Sequence, residues 1–152
     1  MLAWTCQPFA ELDARALYEI LCLRARVFVL EQRCVYLDPD GLDTAVWHLQ
    51  GHGTDGTLQA YARLVPPFAK GAEQALPMIG RVVTAPTARG AGQGRELMQQ
   101  AIGHCARLWP GQTLEISAQA HLERFYASLG FETLSAPYDD DGILHVDMRR
   151  PG

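Results

Sequence analysis

Apolar positions recur along this chain with two periods, about 3.6 and about 2, and each switch between them marks an element. From Asp13 to Gln32, "DARALYEILCLRARVFVLEQ" sets Leu17, Ile20, Leu21, Arg24 and Phe28 at helical spacing, with Asp13 as the expected N-cap. The turn-rich "DPDGLD" follows. "AVWHLQ" and "LQAYARLV" have strand character, and Gly51, Gly53 and Gly56 punctuate the hairpin expected between them. Pro66, Pro67 and Gly71 mark a loop, after which "MIGRVVTA" is a β-rich run stopped by Pro86. Leu97, Ala101, Cys105 and Leu108 then recur at i, i+4, i+8 and i+11, one face of an amphipathic helix. That helix ends at "WPG", since proline disfavours helical angles at Trp109. "TLEISA" is a short strand. "HLERFYASLG" places Leu122, Phe125 and Leu129 on one face of a short helix, with Gly130 as its left-handed C-cap. Finally "FETLSAPY" and "ILHVDMRR" flank "DDDG", where Asp141-Gly142 predicts a hairpin turn. The pattern is α/β with a mixed sheet.

One stretch resists this reading. "RGAGQGRELMQQAI" sets Gly90, Gly92 and Gly94 directly ahead of the long helix, where glycine helps a helix least. A helix N-terminus exposes free backbone N–H groups and carries about half a positive charge, so it attracts an anion. Glycines there keep side chains out of a phosphate's way and permit unusual φ angles. The preceding strand would hold the loop at the C-terminal edge of a sheet, where α/β proteins place ligands. A diphosphate cradle is the functional reading; a flexible turn with tight helix–sheet packing is the structural one. No lysine follows to complete a Walker A loop, and the G-x-G-x-G spacing, late in the chain, is not the Rossmann fingerprint.

With 152 residues, 48% apolar and 20% charged, the chain suits one domain, residues 1–152, with one full core. The net charge of −4 gives no nucleic-acid footprint. Acid is concentrated at Asp38, Asp40 and Asp43 and again at Asp139, Asp140 and Asp141. These are either solvated loops or a rim suited to a cationic substrate. No apolar run approaches the roughly 20 residues that span a bilayer, so no membrane role is expected. "MLAWTCQPFAELD" lacks the features of a secretory signal. Cys6, Cys22, Cys34 and Cys105 form no C-x-x-C pair, which argues against a metal site and fits reduced thiols and a cytoplasmic location. A homodimer is expected on general frequency alone.

Arg89, Gly92 and Gly94 satisfy [QR]-x-x-G-x-[GA], and "FYASLGF" follows about thirty residues later. Here the sequence resembles the GNAT superfamily of acetyl-coenzyme A-dependent acyltransferases. "LRARVFVLEQRCVYLDPDGLD", "IGRVV", "AQAHLERFY" and "DGILHVDMRR" resemble its ElaA-like group, a likeness running from about Leu17 to Arg150. The resemblance implies the GNAT fold, a central mixed and mostly antiparallel sheet splayed at the cofactor site and flanked by helices. It implies acetyl-CoA as acyl donor, no metal, and a small-molecule or peptide amine as acceptor, attacked directly in a ternary complex.

Carried over by residue, the resemblance assigns Val82, Val83 and Thr84 to the pantetheine arm. It assigns Arg89, Gly90, Ala91, Gly92, Gln93, Gly94 and Arg95 to the pyrophosphate, with the Arg89 side chain adding a charge-assisted contact. A backbone N–H near Val83 would serve the developing oxyanion. Tyr126 matches the tyrosine aimed at the coenzyme sulfur, where a phenol can protonate a leaving thiolate. Two departures concern the base. Arg81 stands where many members carry an acid, and there is no asparagine near the second motif, where Gln119 stands instead. Candidates are Glu31, Asp38, Asp40, Asp43, His48, His121 and His145, with Glu31 preferred for its "LEQ" context on the acceptor side. His48 and His145 also fit structural strand histidines, and His121 a helix cap. Arg24, inside an apolar helix, is expected to pair with Glu31 or Asp43.

Two rival readings remain. "RARVFVLEQRCVYLDPDGLD" also resembles the R-x-x-x-F…D-x-D layout of acyl-homoserine lactone synthases, which use S-adenosylmethionine. A non-catalytic acyl-CoA-binding or sensing module would keep the cradle and need no base.

Overall fold

Packing decides where each amphipathic element lies, and one sheet collects nearly all of them. The computed structural model describes residues 1–152. Its strands are β1 (Ala3–Pro8), β2 (Trp47–His52), β3 (Leu58–Val65), β4 (Met78–Thr84), β5 (Leu114–Gln119), β6 (Glu132–Thr133), β7 (Tyr138–Asp140) and β8 (Ile143–Arg150). They form a mixed sheet in the order β1-β2-β3-β4-β5-β8-β6, with β7 also paired to β8. Every neighbour is antiparallel except β4–β5. The helices are α1 (Ala14–Arg24), α2 (Gln93–Leu108) and α3 (Glu123–Ala127). This is the expected α/β architecture.

The alternation of β3 divides the core between the two faces of the sheet. Ala60, Ala62 and Leu64 pack with Leu97, Met98, Ala101 and Cys105 of α2, the predicted apolar stripe of that helix. Tyr61 points the other way and joins Ile20 and Leu23 of α1, together with Val27 and Val83. On β4 the parity flips. Ile79 belongs to the α2 side and Val83 to the α1 side, although both positions are odd. A bulge causes this: Tyr61 is opposite Val83 but Arg63 is opposite Gly80, so Arg81 and Val82 have no register partner on β3. Arg81 has φ 50°, unusual for a residue with a side chain.

One element was not foreseen and three local expectations change. The first residues form an edge strand, β1, whose half-exposed alternation gave little signal. Gly51 lies inside β2 and not in its turn. A Cβ there would sit 2.7 Å from the ring of Trp4 on the neighbouring strand, so the glycine is a seat for that tryptophan. The helix from Asp13 does not run evenly to Gln32. Beyond Arg24 it widens into a π-helical segment, Ala25–Glu31, and Gln32 N–H still reaches back to Val27 O at 3.0 Å. "FETLSAPY" is no continuous strand, since only Glu132–Thr133 and Tyr138–Asp140 pair with β8. By contrast, Asp13 caps α1 through the Ala16 N–H at 2.7 Å, and Gly130 has φ 94°. Asp141 and Gly142, at φ 51° and 84°, turn β7 into β8 as their sequence demands.

A candidate active site between splayed strands

The parallel pair β4–β5 is barely a pair. Met78 opposite Glu115 is its one register position, supported by the Glu115 N–H on Pro77 O at 3.0 Å. Beyond that point the strands part, and a cavity of about 810 Å³ opens between them. Val82, Val83 and Thr84 line one side, Ile116, Ser117 and Gln119 the other. Antiparallel pairing alternates, which decides which amides are free. The Ala85 N–H bonds Gln59 O at 2.8 Å, so the next bonded pair along the ladder is Tyr61 with Val83. In that register the Val83 N–H faces β3, which leaves its neighbours as the amides near Val83 that can face the gap. Thr84 presents its polar groups towards the gap, and the bulge releases Arg81 and Val82 from the ladder.

The glycine loop follows β4, and of its residues Arg89 lines the cavity while Gly90 to Arg95 do not. Gly92 is the N-cap of α2, with φ 75° and no side-chain cap, and Gly90 has φ 90°. A Cβ built on Gly90, Gly92 or Gly94 would meet no atom within 4 Å. The positions therefore face open space and are not packing seats, which disfavours the purely structural reading of the triplet. Ala91 and Arg95 are exposed and Gln93 is half-buried. The Arg95 guanidinium is turned aside, donating to Ser128 Oγ at 2.7 Å and lying over the Phe125 ring. Gln93 holds Gln59 only at 3.4 Å, and its Oε1 is buried without a partner. Open glycines, uncapped N–H groups and a nearby guanidinium on Arg89 make a donor set that fits a diphosphate.

Tyr126 reaches the cavity from α3. Phe125 and Phe131 meet it edge-on at 5.1 and 6.1 Å between centroids. It is 7% exposed, and burial alone, with no hydrogen bond, acts on its hydroxyl. Burial pushes its pKa up to about 12, so the phenol keeps its proton. Glu31 ends the π-helical segment and forms an ion pair with Arg89 Nη1 at 2.6 Å, while Arg89 Nη2 reaches Thr84 O at 3.5 Å. Gln119 donates to Gln32 Oε1 at 3.2 Å, tying β5 to the end of that segment. Both His121 and His145 line the cavity, His145 engaging Ile143 O at 2.8 Å. His48 is structural. It is fully buried between Tyr61 Oη at 2.7 Å and Asp43 O at 2.8 Å, and burial lowers its pKa.

The acidic loop is not a solvated rim. Arg24 binds Asp38 at 2.8 Å and Asp43 at 2.7 Å, Arg63 binds Asp40 at 2.7 Å and Asp43 at 3.1 Å, and Arg81 binds Asp38 at 2.8 Å. Arg24 is wholly buried, Arg63 is 3% exposed and Asp38 is 4% exposed. Arg24 thus takes Asp43, as expected, and Asp38, while Glu31 goes to Arg89. Arginine hydrogen bonds hold the Asp40 carboxyl far below its ordinary range, and the carboxyl of Asp43 is lowered against the opposing pull of burial. Three aspartates engaged by three arginines offer no cation-binding rim, so this feature no longer points to a cationic acceptor. Arg63 was the residue the sequence did not reveal, since an arginine in an apolar strand has no local signature.

Among side chains able to ligate a metal, no group of three or more is assembled. No helix is long and apolar enough to cross a membrane. A family model described as an acetyltransferase (GNAT) domain matches residues 68–151. A UPF0039 protein of Synechocystis is 47% identical over 95% of this chain and 92% of its own length. The crystal structure of an acyl-CoA N-acyltransferase from Pseudomonas aeruginosa superposes with a TM-score of 0.92 at 42% identity, covering 99% of each chain. That of Escherichia coli ElaA gives 0.90 at 37% identity, again over 99% of each.

Proposed function

This chain belongs to the GNAT acetyltransferase family, within its ElaA-like group, and from that premise we propose that it transfers an acetyl group from acetyl-CoA to a primary amine of a small molecule or peptide, by direct attack in a ternary complex. The observation that supports this is Tyr126 at a cavity that Arg89, the first residue of the open glycine loop, also lines.

Acetyl-CoA supplies a thioester carbonyl already activated for attack. The N–H groups from Arg89 to Arg95, with the Arg89 guanidinium, would hold its pyrophosphate. Thr84 and Val82 would bond the pantetheine arm through their backbones, and Val83 would wall it with its side chain. The Val82 amide, free of the β3 ladder, takes the oxyanion role first assigned near Val83. Tyr126 donates its proton to the departing sulfur. Gln119 braces the wall opposite. The attacking amine must first lose a proton, since its ordinary pKa is near 10.

We assign that step to Glu31, directly or through water. Its partner, Arg89, is also the residue a pyrophosphate would claim, so binding of the donor frees the carboxylate. Donor binding thereby prepares the base.

The test is thiol release with acetyl-CoA and a panel of primary amines, run beside Tyr126→Phe. Turnover that collapses in the variant while coenzyme A binding persists supports the reading. Coenzyme A binding with no turnover on any acceptor favours a sensing module. Lactone formed from S-adenosylmethionine and an acyl-carrier protein would favour the synthase reading.

A further inference from the structure

Every arginine that lines the cavity is ion-paired, and its one lysine is not. Arg24, Arg63 and Arg81 answer Asp38, Asp40 and Asp43, three cations to three anions. A fourth cation, Lys70 on the loop before β4, lines the same cavity and joins none of the ion pairs. Partial burial and the neighbouring Arg63 and Arg81 guanidiniums lower its pKa, while Asp40 and Glu115 act in the opposite sense. Arg63 adds a second unanswered donor. Its Nη atoms are engaged by Asp40 and Asp43, but its Nε is buried with no hydrogen-bond partner.

A buried donor left unpaired costs about 1–3 kcal/mol, so evolution retains one chiefly where something else completes it. Nothing in the fold does. The residue beside that Nε is Gly80, and a Cβ there would stand 3.8 Å from it, so the glycine leaves the ground next to the guanidinium free of any side chain. Gly80 sits immediately before the bulge at Arg81 and Val82, next to the amides proposed to face the reacting carbonyl. Of the acids that line the cavity, Asp40 at this end is already bound by Arg63 and Arg81, and the others do not serve this end. Glu31 is held by Arg89, and Asp140 and Asp141 stand on the β7–β8 turn, across the gap on the β5–β8 side.

Resting on the acyltransferase reading, we propose that the β3–β4 end of the cavity recognises a carboxylate on the acyl acceptor, through the Lys70 ammonium and the Arg63 Nε–H. The acceptor is then an amino acid, its amine presented at the bulge and its carboxylate anchored beyond it. Two donors, one of them a spare positive charge, match the two oxygens and single charge of a carboxylate. A phosphate dianion would leave charge and lone pairs unanswered. The reaction balances without further reactants: the amine nitrogen forms the new bond to the acyl carbon, the C–S bond breaks, and the amine proton is returned to the thiolate.

The experiment is titration calorimetry on the full chain loaded with coenzyme A. The probes are the standard L-amino acids, their α-amides, putrescine and phosphoethanolamine. At least one amino acid should bind about 10- to 100-fold more tightly than its amide, the scale of losing charge-assisted hydrogen bonds. Lys70→Gln should remove most of that margin and leave coenzyme A affinity as it was; Lys70→Arg should restore part of it. In turnover the Lys70→Gln loss should fall mainly on KM for the acceptor. Amides binding as well as acids, tighter binding of putrescine or phosphoethanolamine, or no binding by any probe overturns the proposal. Amino acids that bind but never release thiol would leave carboxylate recognition standing and remove the acyltransferase reading instead.

Discussion

The two ends of one cavity are built by opposite means. At the proposed donor end, a loop with Gly90 and Gly92 at positive φ and uncapped N–H groups would do the binding, and backbone would carry the specificity. At the proposed acceptor end, charged side chains from α1, β3, β4 and an intervening loop lock together, and the backbone only sets their spacing. Substitution should therefore act differently at each. The donor end should lose ligand and keep its fold; the acceptor end should lose its fold first.

The strongest break in that comparison is Arg24→Ala. It strips the one wholly buried guanidinium from Asp38 and Asp43, and removing one partner of a buried ion pair costs about 3–5 kcal/mol. Urea denaturation should show a midpoint lowered accordingly. A loss below about 1 kcal/mol would mean that the network is solvated and contributes as surface pairs do.

That asymmetry also explains what could be read in advance. Gly92 and Tyr126 belong to segments whose chemistry is local: a loop opening a helix, an aromatic on a short helix, a strand before a proline. Each carries its meaning within about ten residues, so the fold was legible and a donor site could be proposed. Arg24 meets Asp38 and Asp43 only because the π-helical segment and its loop fold back, and Arg63 reaches Asp40 from the neighbouring strand pair. Such pairing is fixed by tertiary packing and has no sequence period. The same holds around Val83, where a bulge two residues away, at Arg81, sets the parity of the strand and so which amides face the gap. Edge strand β1 stayed hidden because its residues are too exposed to alternate clearly.

Next in size is Tyr126→Phe. Turnover should fall about 10- to 1,000-fold, the range for losing a general acid, with coenzyme A affinity and stability nearly unchanged. The wild-type pH profile sharpens it. With the phenol raised to about 12, its deprotonation cannot produce an alkaline fall at lower pH, and turnover should climb as the acceptor amine deprotonates. A variant as active as the wild type would remove Tyr126 from the chemistry.

At the donor end, Gly92→Val should weaken coenzyme A by about 2 kcal/mol or more by calorimetry, since a branched side chain would stand where the phosphates approach. The same change forces a β-branched residue to φ 75°, adding roughly 1–2 kcal/mol of strain, so both readings should move. Stability lost without any change in affinity would sever the glycines from the diphosphate.

The smallest effect probes the single contact that spans both ends. Arg89 and Glu31 are 43% and 39% exposed, so their pair contributes no more than about 1 kcal/mol and neither substitution should shift the unfolding midpoint measurably. Affinity for coenzyme A separates them by sign. Arg89→Ala removes a cation from the pyrophosphate and should weaken binding. Glu31→Gln removes the anion that competes for the same guanidinium, so binding should tighten, by up to about fivefold at low salt. Near 1 M salt the Debye length shrinks to about 3 Å, and that gain should fade. Tighter coenzyme A binding together with slower turnover in Glu31→Gln is the signature of a carboxylate that waits on Arg89 and acts once the donor has displaced it. Unchanged affinity at every salt concentration would mean that the two ends work independently, and the release of Glu31 by donor binding would have to be abandoned.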